Sequence, residues 1–522
     1  MEKLVFSETD CRQMEALGIT KAQVAAQVAV FRKSSFHVRL VRPCTVGDGV
    51  QVVGRSKTDD FLRLHDAALG QGRFVKFVPA SGAASRMFQS LLQIYYVPQF
   101  LEADELQRRA SRGVSVACEF LRFLEAIDRF PFWDDLRVVM ARDGLDLEAM
   151  IAGCRYRTIL EYLLTSRGLN YGSLPKGLLK FHRYPNECRT AFEEHLVEAT
   201  QYAGSRGNSC QIHFTVSPEH VSGFRRLFER VRCSLEERFG TSFDICFSFQ
   251  KPCTDTIAVD MENQPFRDLG GNLHFRPGGH GALLENLNDL RADLVYIKNV
   301  DNLTTDRHKE EVAFWKRVLG GCLASVQETV HDYLRKLHAG QMVEAAAYRY
   351  AKETLLMDFS PDFDRWPSER QRSLLVEKLN RPIRVCGVVR NSGEPGGAPF
   401  WVEDKTGAVT VQIVEKAQVD FSSPEQENIW MSSTHFNPVD IVCGVRDFQG
   451  KPFDLRRYVD GDAVFISKKS KDGKELKALE LPGLWNGAMA DWITVIVEVP
   501  KRTFNPVKTV YDLLRPEHQP EP

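Results

Sequence analysis

Short apolar segments alternate with helical patterns through the middle of this chain, and this alternation limits its fold more than any other feature. Four segments have the length and composition of buried strands, namely residues 74–78, 211–216, 243–249 and 294–300. A helical pattern at 218–237 separates the second segment from the third. Strands that alternate with helices are typical of a parallel sheet with helices on both faces. The sequence therefore predicts an α/β fold.

Two longer stretches are helical throughout, and the C-terminal part is rich in strands. Residues 88–170 and 306–380 carry apolar residues at helical spacing. The first of these stretches interrupts the alternation, so we interpret it as a helical insertion. From residue 383 onward the pattern changes to short strands. Between two of them, the lysine-rich segment 468–474 contains Asp-Gly, which predicts a hairpin turn with solvated lysines.

The charge balance and the cysteine spacing exclude several classes of protein. Lysine and arginine number 68 against 69 aspartate and glutamate, which gives a net charge of −1. This balance offers no overall attraction to nucleic acid or an anionic membrane, and no apolar run approaches the roughly 18 residues of a spanning helix. The 12 cysteines include no Cys-x-x-Cys pair, and the N-terminus lacks a signal-peptide core. We therefore expect a cytoplasmic protein with reduced thiols and with no nucleic-acid or membrane partner.

The segment after the first apolar strand is the first candidate for chemistry. Small residues fill it: Ala80, Ser81, Gly82, Ala83, Ala84 and Ser85. Small residues between a strand and a helix allow backbone N–H groups to approach an anion, and the helix N-terminus adds a favourable dipole. Arg86 would add a planar cation for phosphate oxygens. Close packing is the commoner reason for such a turn, so the segment alone leaves both interpretations open.

Two lysines stand beside prolines. Lys176 lies between Pro175 and Gly177 before an apolar run, where it could direct one positive charge into a cleft. Lys508 follows Pro506, which ends any regular helix before it and holds the lysine at the start of the next segment. In each case a surface lysine next to a proline turn is an equally good explanation.

An aspartate and a histidine occupy positions that are typical of ligand-binding loops. Asp301 follows the strand at 294–300, at the edge where open α/β sheets bind ligands, and a carboxylate there suits Mg²⁺ that is shared with phosphates. The alternative is an Asn-Asp turn that caps a helix. His280 lies in residues 277–281 (Pro-Gly-Gly-His-Gly), where three glycines allow a flat base or ribose to lie against the backbone.

The order of these segments along the chain indicates a resemblance to a known family, which no single segment indicates by itself. Residues 80–87 (Ala-Ser-Gly-Ala-Ala-Ser-Arg-Met) resemble the nucleotide loop of UDP-sugar pyrophosphorylases. Residues 504–508 (Phe-Asn-Pro-Val-Lys), with 512–514 (Asp-Leu-Leu), are similar to the ending of UTP–glucose-1-phosphate uridylyltransferases. Further segments resemble motifs of the same superfamily in the same order: 175–177 (Pro-Lys-Gly), 249–252 (Phe-Gln-Lys-Pro), 277–281, 299–303 (Asn-Val-Asp-Asn-Leu), 412–415 (Gln-Ile-Val-Glu) and, more loosely, Glu480 with 487–489.

The resemblance implies a GT-A (Rossmann-like) nucleotidyltransferase core with a mixed, mostly parallel sheet, large helical insertions and a β-rich C-terminal part. The expected division is a mostly helical N-terminal region at 1–73 and a nucleotide-binding core at 74–305 that contains the insertion 88–170. A helical segment at 306–380 and a β-rich sugar-binding and C-terminal part at 381–522 follow.

The resemblance also implies a reaction, in which a sugar-1-phosphate and a nucleoside triphosphate, UTP first among them, form a UDP-sugar and pyrophosphate. The implied catalytic residues are Arg86, Lys176 and Lys508, and Asp301 is the implied Mg²⁺ ligand. The implied nucleotide-binding residues are Ala80, Ser81, Gly82, Ala83, Ala84, Ser85, Gln250, Gly279 and His280. The implied sugar-binding residues are Glu415, Asn437 and Glu480.

The loop departs from the family pattern, and two other functions stay open. Ser81 and Ala84 replace two loop glycines, and Ala84 adds a methyl group where the backbone usually meets the triphosphate. A non-catalytic nucleotide-sugar binder would be compatible with that change and with the two helical stretches. A GT-A glycosyltransferase that consumes a sugar nucleotide is the other alternative, although it does not need the lysine at position 508.

Overall fold

The computed structural model of this chain describes residues 4–33, 37–97, 102–204, 209–393 and 396–520. Its strands, in chain order, are β1 (Arg39–Pro43), β2 (Thr45–Val46), β3 (Gly49–Gln51), β4 (Phe74–Pro79), β5 (Lys180–Arg183), β6 (Cys188–Thr190), β7 (Ser209–Thr215), β8 (Ser242–Ser248), β9 (Thr256–Ile257), β10 (Phe275–Arg276), β11 (Leu294–Lys298), β12 (Ile383–Arg390), β13 (Ala398–Glu403), β14 (Val409–Val414), β15 (His435–Gly444), β16 (Phe465–Lys471), β17 (Lys474–Glu480) and β18 (Ile493–Glu498).

The α-helices, in chain order, are α1 (Glu8–Leu17), α2 (Lys21–Val30), α3 (Arg55–Gly70), α4 (Gln89–Tyr96), α5 (Ala103–Ser111), α6 (Ser115–Glu125), α7 (Trp133–Arg142), α8 (Leu147–Ala152), α9 (Tyr156–Leu164), α10 (Ala191–Ala199), α11 (Val221–Phe239), α12 (Leu284–Asp289), α13 (Asp306–His338), α14 (Glu344–Glu353), α15 (Ser368–Leu379) and α16 (Pro424–Met431). In the described ranges, none of these helices is long and apolar enough to cross a membrane.

The chain divides into two compact units, and each is assembled from three separate stretches of sequence. The first unit comprises residues 1–77, 248–297 and 315–501, and the second comprises residues 78–247, 298–314 and 502–522. The domains expected from the sequence are continuous stretches of the chain. The two units are not continuous, because segments that are far apart in sequence belong to the same unit.

The first unit is built around a mixed sheet whose strands follow the order β2-β3-β18-β12-β15-β11-β4. The pairs β2·β3, β3·β18, β18·β12 and β11·β4 are parallel, whereas β12·β15 is antiparallel. Buried side chains from several of these strands form one hydrophobic cluster, among them Ile297, Cys386, Ile441 and Ile496. The expected α/β class with a mostly parallel sheet is confirmed.

The second unit contains the adjacent strands β7 and β8, the pair β5·β6, and helices α4 to α11. Phenylalanine side chains dominate its interior: the ring centroid of Phe192 lies 4.7 Å from that of Phe214 and 5.6 Å from that of Phe224. Helices α4 to α9 occupy the stretch that the sequence predicts as a helical insertion. Phe120 and Phe123, both fully buried, pack inside this helical part.

One hairpin follows its sequence signal closely, and one strand has no such signal. β16 and β17 pair up to Lys471 and Lys474, with Asp472 and Gly473 at positive φ, so the predicted hairpin is confirmed. β15 is a central strand that the sequence does not predict, because Pro438 interrupts its apolar run. The structure accommodates that proline with a bulge, at which the register against β12 shifts.

Candidate active site

The small-residue loop of the second unit follows β4 and leads into α4. Ala80 and Ala84 are both fully buried. Ala80 N–H donates to the carbonyl oxygen of Thr215 (2.8 Å), and Ala84 N–H donates to that of Leu174 (3.0 Å). Protein carbonyls therefore engage these two amides. The N–H groups of Ala80 and Ala84 are thus already engaged within the protein, and the role of these two residues in nucleotide binding stays a prediction.

The residues between these two alanines face outward. Ser81, Gly82 and Ala83 are exposed, and the part of the chain that the structure describes offers no acceptor for their N–H groups. A Cβ added at Gly82 would meet no atom within 4 Å, so the space around this backbone is open. Ser85 and Arg86 are exposed in the turn that follows. Exposed amides next to a guanidinium group are the components of an anion site.

Lys176, Asp301 and Lys508 come together in the second unit, although 125 and 207 residues separate the aspartate from the two lysines. Lys176 Nζ donates to Asp301 Oδ2 (2.7 Å) and to the carbonyl oxygen of Val507 (2.6 Å). Lys508 Nζ donates to the same Asp301 Oδ2 (3.1 Å). One carboxylate oxygen thus receives two ammonium groups from two distant segments.

Backbone hydrogen bonds connect the segments that carry these side chains. Lys176 N–H donates to the carbonyl oxygen of Gly82 (3.3 Å), which joins the Pro-Lys-Gly segment to the small-residue loop. Val507 N–H donates to the carbonyl oxygen of Asp301 (2.9 Å), which joins the C-terminal segment to the residues that follow β11. The charged groups are therefore held by main chain as well as by their own contacts.

Burial and charge act on this cluster in opposite directions. Burial would raise the pKa of Asp301, but Lys176 and Lys508 outweigh it, so the pKa is lowered. Burial lowers the pKa of Lys176, and Asp301 counteracts only part of that shift. The Lys508 side chain is 56% exposed and that of Asp301 only 9%. The reachable charge of the cluster is thus positive, which suits an anionic ligand.

Asp301 meets some of the requirements of a Mg²⁺ ligand. It is a buried carboxylate with a lowered pKa, and Mg²⁺ prefers oxygen ligands. Across the described ranges, however, no group of three or more His, Cys, Asp or Glu side chains is arranged to hold a metal ion. A magnesium ion held by Asp301 would therefore have to take its other ligands from water or substrate phosphates.

A second group of sequence-predicted residues lies in the first unit. His280 stacks on Trp485, with the ring centroids 4.2 Å apart and the planes inclined by 12°. Trp485 Nε1 donates to Glu415 Oε1 (3.1 Å), and His280 Nε2 lies 3.7 Å from the same oxygen. Leu484 N–H donates to His280 Nδ1 (3.0 Å), so Nε2 carries the proton of the neutral ring. Burial lowers the pKa of His280 more than Glu415 and Glu480 raise it, which keeps the ring neutral at pH 7.

The remaining predicted residues of the first unit have separate environments. Gly279 has a φ of +75°, and a Cβ added there would lie 2.8 Å from Glu480 Oε2, so this position requires glycine. Gln250 Nε2 donates to Asp255 Oδ1 (3.3 Å). Asn437 is buried, and its Nδ2 has no hydrogen-bond partner among the described residues.

Two residues that contact the predicted ones were assigned no role of their own from the sequence. Asp512 Oδ2 accepts the N–H groups of Lys508 (2.8 Å) and Thr509 (2.7 Å), which fixes the backbone that carries the lysine. The spacing Thr509-x-x-Asp512 is a capping-box signal that could have indicated this role. Trp485 covers one face of His280, and no local pattern marks it, because its partners come from other parts of the chain.

Three of the solved structures that resemble this chain come from Trypanosoma brucei and Leishmania major. The uridine diphosphate N-acetylglucosamine pyrophosphorylase from Trypanosoma brucei in complex with an inhibitor is similar over 98% of this chain and 79% of its own, at 12% identity and a TM-score of 0.48. A UDP-glucose pyrophosphorylase variant from Leishmania major covers the same shares at 13% identity and a TM-score of 0.45. The UDP-glucose phosphorylase from Trypanosoma brucei covers 97% and 77% at 14% identity and a TM-score of 0.45.

Comparison by sequence gives a family. No curated protein matches this chain significantly. The profile of a family described as "Domain of unknown function (DUF4301)" matches residues 7–519, which is nearly the whole length of the sequence. The chain therefore belongs to the DUF4301 family.

Proposed function

We propose that this chain is a nucleotidyltransferase that makes a nucleoside diphosphate sugar and pyrophosphate from a sugar-1-phosphate and a nucleoside triphosphate, with UTP as the first candidate. One observation carries the proposal: Lys176 and Lys508, from two separate motifs, donate to one oxygen of Asp301, which belongs to a third. These three motifs have the order that the sequence shares with UDP-sugar pyrophosphorylases. Their convergence supports a common chemical role.

The phosphate chemistry is assigned to the second unit. A phosphate oxygen of the sugar-1-phosphate attacks the α-phosphorus of the triphosphate in line, and the bond to pyrophosphate breaks. This nucleophile is ionised at pH 7, so no general base is needed. Phosphoryl transfer depends mainly on positioning and charge neutralisation, and the exposed Lys508 would hold the sugar phosphate. Lys176 would neutralise charge on the nucleotide phosphates.

The small-residue loop would hold the leaving pyrophosphate. The amides of Ser81, Gly82 and Ala83, which no described acceptor engages, and the exposed guanidinium of Arg86 are donors that suit the β- and γ-phosphates. Asp301 would hold a magnesium ion, which would neutralise phosphate charge when bound. The assignment uses no amide from Ala80 or Ala84, since protein carbonyls accept both.

The nucleobase and sugar roles are assigned to residues of other motifs. Gln250, Gly279 and His280 are proposed to recognise the base. The neutral His280 offers an Nε2–H donor, because its Nδ1 accepts from the backbone. Glu415 and Glu480 are proposed acceptors for sugar hydroxyls, and Asn437 Nδ2 is a donor that lacks a partner within the described residues.

A nucleotide-sugar binder without catalysis is the second candidate, and the small-residue loop favours it. The Ala84 amide is buried and bonded to Leu174, so the loop presents fewer N–H groups to a phosphate than a glycine-rich loop would. Such a protein would bind UTP or a UDP-sugar and release no pyrophosphate.

The deciding experiment measures pyrophosphate release by the purified protein with Mg²⁺, each of the four nucleoside triphosphates and a panel of sugar-1-phosphates. We expect release only when one particular triphosphate and one particular sugar phosphate are both present. No release from any combination, together with a rise in melting temperature on addition of UTP or a UDP-sugar, would replace the transferase with the binder.

The magnesium assignment has its own test. Asp301→Asn keeps the shape of the side chain but removes its charge, so the variant should lose activity together with the response to added Mg²⁺. Asp364→Asn, at an exposed position in the first unit, is the matched control and should retain both. An unchanged Mg²⁺ titration in the Asp301→Asn variant would remove Asp301 as the metal ligand.

A further inference from the structure

The second unit contains a buried charged network that none of the proposed roles uses. Its centre is Glu194 on α10, whose side chain is fully buried. Glu194 Oε1 accepts from His182 Nδ1 (2.7 Å) and from the Tyr184 hydroxyl (2.7 Å). Glu194 Oε2 accepts from Lys309 Nζ (2.5 Å). Four polar side chains from three segments of the chain thus meet in the interior.

The network reaches the C-terminal segment, residues 502–520, through two histidines in series. His182 Nε2 lies 2.8 Å from His518 Nδ1, and both rings are buried. Burial lowers the pKa of each histidine, so both rings are neutral at pH 7. Glu194 can only accept, so His182 carries its proton on Nδ1 and His518 donates Nδ1–H to His182 Nε2. This tautomer leaves His518 Nε2 without a proton, and that atom has no hydrogen-bond partner among the described residues.

The network also reaches the residues that follow Asp301. Lys309 Nζ, which bonds to Glu194, also donates to the carbonyl oxygen of Thr304 (3.0 Å). Thr304 Oγ1 and Thr305 N–H both donate to the carbonyl oxygen of Glu517 (3.2 Å each), next to His518. A closed ring of contacts therefore connects the segment after Asp301 with the C-terminal segment.

Stability alone does not explain this arrangement. A buried ion pair stabilises a fold no better than well-packed apolar side chains of similar volume, since desolvation offsets the attraction. A hydrogen-bond network differs from apolar packing in having direction, because each donor must face its acceptor. The network around Glu194 orients two segments: the residues that follow β11, which carry Asp301, and residues 502–520, which carry Lys508.

We propose that His518, through His182 and Glu194, is a positioning residue that holds Lys508 in place against Asp301. This role rests on the proposed transferase function for its catalytic consequence, but not for its structural one. Within the described residues, His518 makes no hydrogen bond to Lys176, Asp301 or Lys508. It acts by holding the C-terminal segment, which is hydrogen-bonded to the segment that carries Asp301. Val507 N–H donates to the carbonyl oxygen of Asp301, and Leu303 N–H donates to the carbonyl oxygen of Asn505 (3.3 Å).

The test compares His518→Ala with His518→Asn. The side-chain amide of asparagine stands at the position of Nδ1 and can still donate to His182, whereas alanine cannot. In His518→Ala we expect the Val507 and Leu303 amides to exchange hydrogen at least tenfold faster, measured by mass spectrometry on peptides that cover them. His518→Asn should restore protection. His338→Ala, an exposed histidine of the first unit, is the control and should match the wild type.

Activity provides an independent readout. His518→Ala should lower kcat about tenfold or more and leave KM for the triphosphate within about twofold, with recovery in His518→Asn, because displacement of Lys508 affects the reacting phosphate. If the wild type releases no pyrophosphate, the proposed function fails, while the exchange data still decide the positioning role. Equal exchange in wild type and His518→Ala, or no recovery in His518→Asn, overturns the proposal.

A milder variant covers the case in which His518→Ala does not fold. Thr304→Val removes only the hydroxyl bond to Glu517 and keeps the branched shape of the side chain. Its Leu303 and Val507 amides should also lose protection, by a smaller factor. Unchanged protection at both amides would contradict the coupling between the two segments.

Discussion

Lys508 combines an exposed charge with a fixed backbone. Its side chain is 56% exposed, and Asp512 accepts its N–H. Lys508→Ala should therefore leave the fold intact and lower kcat by about 100-fold or more, since an electrostatic group at the reacting centre commonly contributes about 3 kcal/mol. The measurement is steady-state pyrophosphate release, accompanied by a melting curve.

The control for this substitution is a lysine of the hairpin β16–β17. Lys469→Ala removes an exposed positive charge in the first unit, and both activity and melting temperature should stay at wild-type values. Near-normal turnover in a folded Lys508→Ala protein would remove Lys508 from the mechanism and leave its contact with Asp301 as a structural ion pair.

Two glycines in neighbouring segments should respond differently to the addition of one methyl group. A Cβ at Gly177 would lie 2.7 Å from the Phe224 ring, which is fully buried on α11, whereas a Cβ at Gly82 would meet nothing within 4 Å. Gly177→Ala should lower the unfolding free energy by about 1–3 kcal/mol through overpacking. Gly82→Ala should change it by less than about 0.5 kcal/mol.

Gly177→Ala and Gly82→Ala also distinguish a glycine needed for packing from a glycine needed for ligand binding. Gly82→Ala places a methyl group among the outward amides, so triphosphate affinity should fall at least severalfold while stability is unchanged. Urea denaturation and a nucleotide-binding titration measure the two effects. Equal affinities in wild type and Gly82→Ala would mean that the phosphates do not bind at this loop.

At the scale of the whole molecule, the buried histidines predict acid sensitivity. Burial lowers the pKa of both His182 and His518 below the ordinary 6.5, so the unfolded chain binds their protons first. Their contribution to stability is therefore complete above about pH 6.5 and is lost as the pH falls. As the pH falls, each such histidine steepens the decline of the unfolding free energy by up to about 1.4 kcal/mol per pH unit.

His518→Asn isolates one of these contributions. Urea denaturation at a series of pH values between neutral and mildly acidic should show a shallower decline of the unfolding free energy in this variant than in the wild type. Parallel curves would show that His518 is not held neutral in the folded protein.

The thiols give a second prediction for the whole chain. All 12 cysteines are free, and several lie in the interior, such as Cys44, Cys386 and Cys443. Melting temperature should therefore be the same with and without a reductant, and thiol titration of the unfolded protein should count all 12. A lower melting temperature in reductant would reveal a disulfide that stabilises the fold.

Local residue chemistry is sufficient to predict the fold class of this protein and many of its elements. Period-two and period-3.6 patterns indicate β14 and the helices of 306–380, and the Asp472-Gly473 pair predicts the turn between β16 and β17, because each depends on neighbours in sequence. β15 escapes this reasoning, since a bulge at Pro438 is stable only within the sheet that surrounds it.

The candidate site also has a part that the sequence predicts and a part that only the folded structure shows. Motif order selects Lys176, Asp301 and Lys508 from the sequence, but only the folded chain brings these ammonium groups to one carboxylate oxygen. Likewise, the small residues of the loop are evident in the sequence, whereas the inward packing of Ala84 and the stacking of Trp485 on His280 are not. The reason is physical: composition and spacing determine what a segment can form, and contacts between distant segments determine which of its groups are left free to act.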